Sequence, residues 1–260
     1  VRMKLLAFDT STEALSIAVG HGGEVWLHTG PGGAQASSTL LPAIRSCLAQ
    51  AGLALADLDA IVFGRGPGSF TGLRTACAVA QGLAFGANHG AGMAVLPIDT
   101  LMAVAEEARF QQTGDMAATD APVTVMALLD ARMDEMYVQS YLFNSGLCTP
   151  VLHCTLIRPE NLLAGPSVQL LAGNVFGVYA DRLPAHLAAL PCVPALPTAT
   201  ALLRLAPALS AAGQCVAADQ ALPLYVRDKV AQTTEERAQI KALAQAALAA
   251  LAAPVVPTEN

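Results

Sequence analysis

The residues most suggestive of chemistry lie in one glycine-rich stretch, residues 64–74, which read GRGPGSFTGLR. An apolar run over residues 58–63 precedes it and predicts a buried strand, and residues 71–87 predict a helix for which Ser69 suits the N-cap. Glycines that tolerate positive φ between a strand and a helix N-terminus are typical of phosphate-binding loops. The same pattern is typical of a tight structural corner, so two interpretations are open here.

The spacing of the glycines argues against a known nucleotide-binding motif. No Lys-Ser/Thr pair follows them, and Gly72 comes one residue too late for the dinucleotide-binding fingerprint. The other nucleotide-binding candidates are Asp9, Ser11 and Thr12, at the end of the first predicted strand, and Asp130 ends the corresponding strand of the second half. These turns lack the glycines that let amides approach a phosphate. Polar hairpin turns are the favoured interpretation, with an ATP or ADP site shared with a partner left open.

Neither a metal site nor a catalytic residue is predicted. Two histidines at helical ligand spacing would be needed, and the sequence has neither HExxH nor HxxxH. Ser11 and Ser69 have no histidine nearby in sequence and no G-x-S-x-G motif surrounds them. The six cysteines contain no CxxC pair, which favours free thiols in a reducing compartment.

The bulk composition limits the partners that we expect. The chain has 260 residues and a net charge of −6, and its 14 basic residues are scattered rather than clustered. Strong direct binding to tRNA or DNA is therefore not expected. No apolar run has the roughly 18 residues of a membrane span and no signal-peptide pattern is present, so we expect a cytoplasmic protein without a membrane partner.

The order of predicted elements repeats once along the chain. Each half reads strand-strand-strand-helix-strand-helix, and an aspartate, Asp9 or Asp130, ends the first strand. This order predicts a duplicated α/β fold with mixed sheets. The predicted strands are 5–9, 15–19, 24–28, 58–63, 91–98, 123–130, 136–143, 151–157 and 168–172. The predicted helices are 37–51, 71–87, 100–109, a short one after Pro159, 175–183, 198–212 with an interruption at Pro207, and an alanine-rich helix from Thr233 to residue 252 beyond an extended 222–227.

The predicted helix over residues 71–87 carries a row of small residues. Gly72, Ala76, Ala80 and Ala84 are four apart, and such a row lets another helix approach closely. The alternative is that the row faces the chain's own sheet. The residues alone do not decide between these two interpretations.

Four segments occur in the same order in one known family. They are LLAFDTSTE at residues 5–13, the 64–74 stretch, DARM at 130–133 and LYVR at 224–227. The chain resembles the TsaB (YeaZ) family, the dimerisation subunit of the bacterial tRNA threonylcarbamoyladenosine machinery, from Met3 to about Ala231. Many members carry a histidine where this chain has Ala36, and its absence favours a non-catalytic role.

The resemblance implies a fold and a set of partners. The fold is the actin/Hsp70-like duplicated RNase H-like fold, which we divide into residues 1–99, 100–220 and a tail 221–260. The implied function is a non-catalytic scaffold that binds and activates TsaD, with TsaE, for threonylcarbamoyl transfer to tRNA, which contacts the chain only through the complex. In the absence of TsaD the family forms a homodimer. The alternative is a stand-alone actin-like phosphotransferase or metal-dependent hydrolase.

The resemblance also assigns the partner surface to the predicted helices 37–51 and 71–87. The predicted interface residues on these helices and on the preceding turn are Leu41, Ile44, Leu48, Arg65, Gly72, Leu73, Ala76, Ala80, Leu83 and Ala84. Arg65 and Arg74 flank the glycine stretch and are expected to meet an acidic group of the partner.

Overall fold

Two mixed β-sheets with the same strand order contain the strands of the part of the chain that the structure describes. The computed structural model describes residues 3–87, 92–114 and 121–227. The first sheet contains β1 (Leu5–Asp9), β2 (Ala14–His21), β3 (Glu24–Pro31), β4 (Ala60–Gly66) and β5 (Ala94–Asp99). The second contains β6 (Val123–Asp130), β7 (Met136–Asn144), β8 (Leu147–Pro150), β9 (Thr155–Ile157), β10 (Leu170–Gly173) and β11 (Cys192–Pro194). The helices are α1 (Ala36–Gln50), α2 (Phe70–Gly86), α3 (Thr100–Thr113), α4 (Phe176–Tyr179) and α5 (Ala199–Ala211).

The strand order confirms the predicted duplication. The first sheet runs β3-β2-β1-β4-β5 and the second runs β8-β7-β6-β10-β11, with β9 added beside β7. In the first sheet β1 is antiparallel to β2 and parallel to β4. In the second sheet β6 is likewise antiparallel to β7 and parallel to β10. The mixed α/β architecture expected from the element order is therefore present twice.

Alternating residues of the central strands face two separate cores. Leu6 and Phe8 of β1 pack with α1 and α2, whereas Leu5 and Ala7 face the opposite side. On that opposite side α3 and α5 lie between the two sheets, and their buried residues join residues of both sheets in one core. A strand with apolar residues on both faces is the pattern expected where helices cover both sides of a sheet.

The second half differs from its predicted elements in three places. The strand predicted over 151–157 is wrong: β8 and β9 are separate, because β7 has nine residues and pairs with β8 near its end and with β9 near its start. The helix predicted over 175–183 shortens to α4 and a 3-10 turn before Pro184. β11 was missed because prolines bracket it, which an edge strand tolerates.

Two predictions about helix ends have clear outcomes. Ser69 is the N-cap of α2, and its Oγ accepts a hydrogen bond from the Gly72 amide at 3.5 Å. The interruption predicted at Pro207 is wrong, because α5 runs through this exposed proline. The helix predicted from Thr233 lies outside the described residues. The division at residues 99 and 220 stays a prediction.

Candidate functional site

The carboxyl group of Asp9 lies at the centre of the candidate site, at the end of β1. Its side chain is completely buried, and its Oδ1 accepts hydrogen bonds from the amide and the hydroxyl of Ser11, at 2.8 and 2.6 Å. Within the described residues, Oδ2 has no hydrogen-bond partner. Burial raises the pKa of Asp9 to about 6, against the opposing effects of Ser11 and of the nearby Thr100 side chain.

The glycine corner, defined as residues 64–72, packs directly on the turn that follows Asp9. A Cβ added to Gly64 would lie 1.7 Å from Asp9 Oδ2, and one added to Gly72 would lie 1.9 Å from the Thr10 carbonyl oxygen. A Cβ on Gly68 would meet the Ser11 backbone at 2.5 Å. These glycines are needed because the chain's own β1–β2 turn occupies the space beside them.

Hydrogen bonds fix the corner against that turn. The Thr10 hydroxyl donates to the Gly72 carbonyl at 2.7 Å, and the Ser69 amide donates to the Ser11 carbonyl at 2.7 Å. Two of the sequence segments that carried the family resemblance, far apart in the chain, are thus one interlocked structure. Thr12, the third nucleotide-binding candidate, is half-buried, and its hydroxyl lies beside the backbone of Ala14.

The 221–226 segment packs along α2 and closes the other side of the corner. The Leu224 amide donates to the Arg65 carbonyl at 2.7 Å, and a Cβ on Gly66, whose φ is +122°, would lie 2.5 Å from the Leu224 carbonyl oxygen. Further along α2, the Ala221 carbonyl accepts hydrogen bonds from Cys77 Sγ and Gln81 Nε2. The resemblance segment that begins at residue 224 therefore joins the same structure as those at 5–13 and 64–74.

The two arginines that flank the corner already have partners within the chain. Arg65 donates to Asp99 at 2.5 Å, and its side chain is half-buried. The guanidinium of Arg74 lies 3.9 Å from the centre of the Phe70 ring and its Nε donates to the Tyr225 hydroxyl at 3.3 Å. Asp99 of β5 thus supplies an acidic group for Arg65 within the chain, and whether Arg65 also meets an acidic group of a partner stays a prediction.

The row of small residues on α2 faces the chain's own sheet. Leu73, Ala76, Ala80 and Ala84 are at most 1% exposed, and Gly72 contacts the β1–β2 turn. These side chains are therefore buried within this chain, which argues against direct contact with a partner, and their assignment as partner contacts stays a prediction. The physical reason is that small residues let α2 lie close to the sheet, which the sequence also allowed.

The predicted residues on α1 divide in the same way. Ile44 and Leu48 are buried in the core beneath α1, whereas Leu41 is 40% exposed and Leu83 of α2 is half-buried. Whether α1 and α2 meet a partner stays a prediction. If they do, Leu41 and Leu83 are the predicted residues that remain accessible.

The outer face of α2 was not singled out from the sequence. We define it as Arg74, Ala78, Gly82, Phe85 and Gly86, all exposed, with Phe85 the most exposed large apolar side chain of the helix at 74%. A Cβ on Gly82 or Gly86 would meet nothing within 4 Å. The four-residue spacing of Arg74, Ala78 and Gly82 is visible in the sequence, but spacing alone does not show which side of a helix is exposed.

The second half carries a different turn at the position of the β1–β2 turn. Asp130 is partly exposed, and its Oδ1 accepts hydrogen bonds from the Tyr179 hydroxyl at 2.8 Å and from the Arg132 amide at 2.9 Å. Arg132, Met133 and Asp134 all have positive φ. Asp134 adopts the left-handed conformation, which aspartate tolerates better than most residues do.

Two general features of the described residues bear on function. Across residues 3–87, 92–114 and 121–227, no group of three or more histidine, cysteine, aspartate or glutamate side chains is placed to hold a metal ion. No helix in the same part of the chain is both long and apolar enough to cross a membrane.

Comparison with known proteins places the chain in one family. Residues 30–256 match the family model described as "TsaD: tRNA N6-adenosine threonylcarbamoyltransferase", a match that extends past residue 231, where the resemblance was expected to end. The tRNA threonylcarbamoyladenosine biosynthesis protein TsaB of Escherichia coli is 32% identical over 237 residues, which cover 88% of this chain and 96% of the relative.

Two further relatives agree with this result. TsaB of Haemophilus influenzae is 42% identical over 135 residues, 52% of each chain. The solved structure of YeaZ from Pseudomonas aeruginosa superposes with a TM-score of 0.74 at 37% identity, covering 86% of this chain and 99% of that one. With the duplicated α/β fold and the interlocked glycine corner, these similarities show that the chain belongs to the TsaB (YeaZ) family of tRNA threonylcarbamoyladenosine biosynthesis proteins.

Proposed function

We propose that the chain is a cytoplasmic, non-catalytic subunit that binds TsaD and, with TsaE, activates threonylcarbamoyl transfer to tRNA. The modified base is the adenosine beside the anticodon of tRNAs that read codons beginning with A. The observation that carries the proposal is the filled glycine corner. Asp9, Thr10 and Ser11 occupy the space beside its glycines, so the motif serves to hold α2 rather than to cradle a phosphate.

The outer face of α2 supports a role in binding a partner. Glycine within a helix costs about 1 kcal/mol relative to alanine, and nothing in the described part of the chain approaches Gly82 closely enough to require it. Phe85 and Leu41 add exposed apolar area on α2 and α1. A helix of TsaD, or of a second copy when TsaD is absent, that crosses α2 near Gly82 would explain both features.

The proposed mechanism is stabilisation of one conformation of TsaD. Hydrogen bonds between Leu224 and Arg65, and between the β1–β2 turn and residues 69 and 72, hold the start of α2 from two sides, so the face that α2 presents is rigid. A rigid surface that binds the active conformation of TsaD more tightly than the inactive one shifts TsaD towards activity. In this scheme the reacting groups and tRNA bind to TsaD.

The test compares two exposed alanines on different helices. Ala78→Arg places a long charged side chain on the outer face of α2, and Ala211→Arg places the same side chain at the exposed end of α5. We expect A78R to lose co-purification with TsaD and to lower reconstituted tRNA modification at least tenfold, while A211R behaves as wild type. Unaltered co-purification of a correctly folded A78R variant would contradict the proposed surface.

A further inference from the structure

The outer strand of the first sheet, β3, has an unusual amount of exposed apolar surface. It is eight residues long and lies at the end of the sheet order. Val25 and Leu27 are 51% and 53% exposed on one face, and within the described residues no strand pairs with the outer side of β3. A long apolar edge strand is a template for pairing with another strand.

The devices that usually protect such an edge are missing from most of β3. Its register with β2 is continuous from Glu24 to Pro31, without a bulge, and it contains no lysine or arginine. The corresponding outer strand of the second sheet, β8, is only four residues long and ends at Pro150. The contrast indicates that β3 is available for pairing in a way that β8 is not.

The hairpin turn determines which backbone groups of β3 point outward. Gly22 and Gly23 both have positive φ, as in a type I′ turn, whose hydrogen bond directs the Glu24 amide towards β2. Amide and carbonyl directions alternate along a strand. The free amides and carbonyls on the outer edge are therefore those of Val25, Leu27 and Thr29.

We propose that β3 pairs with β3 of a second copy of this chain, antiparallel and with the two-fold axis at Leu27. This register places Val25 opposite Thr29 of the second copy and Leu27 opposite Leu27. Each of the three opposed pairs exchanges two backbone hydrogen bonds, so all the outward groups of Val25, Leu27 and Thr29 are satisfied. The two first sheets become one continuous ten-stranded sheet.

The side chains of β3 fit this register. Leu27 meets its own copy, and Val25 meets the methyl-bearing Thr29, so one face of the joint is apolar. On the other face Trp26 lies opposite His28. Glu24, the one acidic residue of β3, lies opposite Gly30, so no like charges are brought together.

The ends of the strand define the length of the paired segment. Pro31 lacks an amide, but in this register it lies opposite the turn residue Gly23, outside the ladder. Moving the axis to Trp26 would place Thr29 opposite that turn and leave its groups unpaired. The axis at Leu27 is therefore the register with the most hydrogen bonds. A joint of one strand from each copy is small, so the association is weak and depends on concentration.

The β3 pairing is independent of the proposed TsaD surface, and its test is designed to keep the two apart. All variants are made in the A78R background, which blocks the outer face of α2, and their molar mass is measured by analytical ultracentrifugation over a concentration series. We expect the A78R parent to shift from monomer to dimer as its concentration rises. A parent that remains monomeric at every concentration would overturn the proposal. This is also the result expected if β3 instead pairs with an extended peptide of another protein.

The register is tested by charge at the two-fold axis. L27K alone and L27E alone place like charges opposite each other, so each is expected to remain monomeric, whereas an equimolar mixture is expected to regain the dimer. The matched control is L147K on β8, because Leu147 is also 53% exposed and begins the equivalent outer strand; this variant is expected to dimerise as the parent does. Dimerisation of L27K alone, or no recovery in the mixture, would overturn the register.

Discussion

Asp9 shows how a single buried carboxyl group links two segments of the sequence. Its Oδ1 holds the Ser11 turn, and its Oδ2 lies where a side chain on residue 64 would be. The sequence showed that Asp9 ends a strand and that residue 64 is glycine, but not that each explains the other. Long-range contacts of this kind depend on how strands are ordered in the sheet, which the local pattern does not contain.

Replacing Asp9 by asparagine is expected to change how stability depends on pH. Because burial raises the pKa of Asp9 to about 6 from its ordinary value of 3.8, the folded protein holds a proton between these pH values that the unfolded chain has lost. Folding stability should therefore fall as the pH rises from about 4 to 6, by up to roughly 3 kcal/mol. Asp9→Asn keeps the acceptor for Ser11 and removes this fall.

The measurement is urea unfolding of wild type and D9N at several pH values between 4 and 8. The quantity of interest is the difference in unfolding free energy between the two proteins, which should shift in favour of D9N as the pH rises from about 4 to 6 and stay constant above that. Asp219→Asn, at an exposed position, serves as the control. A difference that is constant across this range would show that burial does not raise the pKa of the Asp9 carboxyl group.

The sequence does not determine which side of α2 faces the sheet and which side faces solvent. The row at Gly72, Ala76, Ala80 and Ala84 packs on the chain's own sheet, which is one of the two interpretations that the sequence left open. Small side chains permit close approach by a sheet or by another helix, so their type alone does not separate the two. The pairing of Arg65 with Asp99 was likewise invisible, because the residues are 34 positions apart.

At the level of elements, α2 contains glycines with opposite roles. A Cβ on Gly72 would lie 1.9 Å from a backbone carbonyl oxygen, whereas a Cβ on Gly82 would lie in open space. Gly72→Ala is expected to destabilise the chain by about 3 kcal/mol, because the β1–β2 turn has to move. Gly82→Ala is expected to stabilise the isolated chain by about 1 kcal/mol, through helix propensity.

The two variants form a matched pair on one helix, and chemical denaturation of each isolated protein measures the difference. Combining G82A with a TsaD pull-down adds information, since an alanine that stabilises the free chain but weakens binding indicates close approach of the partner. Equal effects of G72A and G82A on stability would contradict the interlocked arrangement of the glycine corner.

The elements themselves were predicted well where the hydrophobic pattern is long. β6 has the predicted bounds, and α1 and α2 begin and end within one residue of their predicted ranges. The elements that were missed or misplaced are short, namely β8, β9, β11 and α4, whereas longer ones such as β3 and α3 were found but extend three or four residues beyond their predicted ends. Strands of three or four residues contain too few alternations to show a period, and their existence depends on the edges of β7 and β10 with which they pair.

At the scale of the whole described chain, α3 and α5 connect the two sheets through a buried ionic cluster. Glu106 is fully buried and bonds to Arg109 of α3, through Oε2 at 2.8 Å, and to Arg204 of α5, through Oε1 at 2.7 Å. Glu107 bonds to Arg204 at 2.7 Å and accepts a hydrogen bond from Thr198. Because both helices pack on both sheets, the cluster ties the two halves together.

Loss of the central charge is therefore expected to destabilise both halves at once. Glu106→Gln leaves Arg109, 1% exposed, without a counter-charge and should cost about 3–5 kcal/mol. The neighbouring Glu107→Gln, at a more accessible position, should cost about 1 kcal/mol and is the matched control. Trp26, the one tryptophan, reports on the first sheet by fluorescence, and circular dichroism reports on all elements. We expect the two signals to give one shared transition that E106Q moves as a whole; if E106Q left the Trp26 transition in place, the two predicted subdomains would unfold separately.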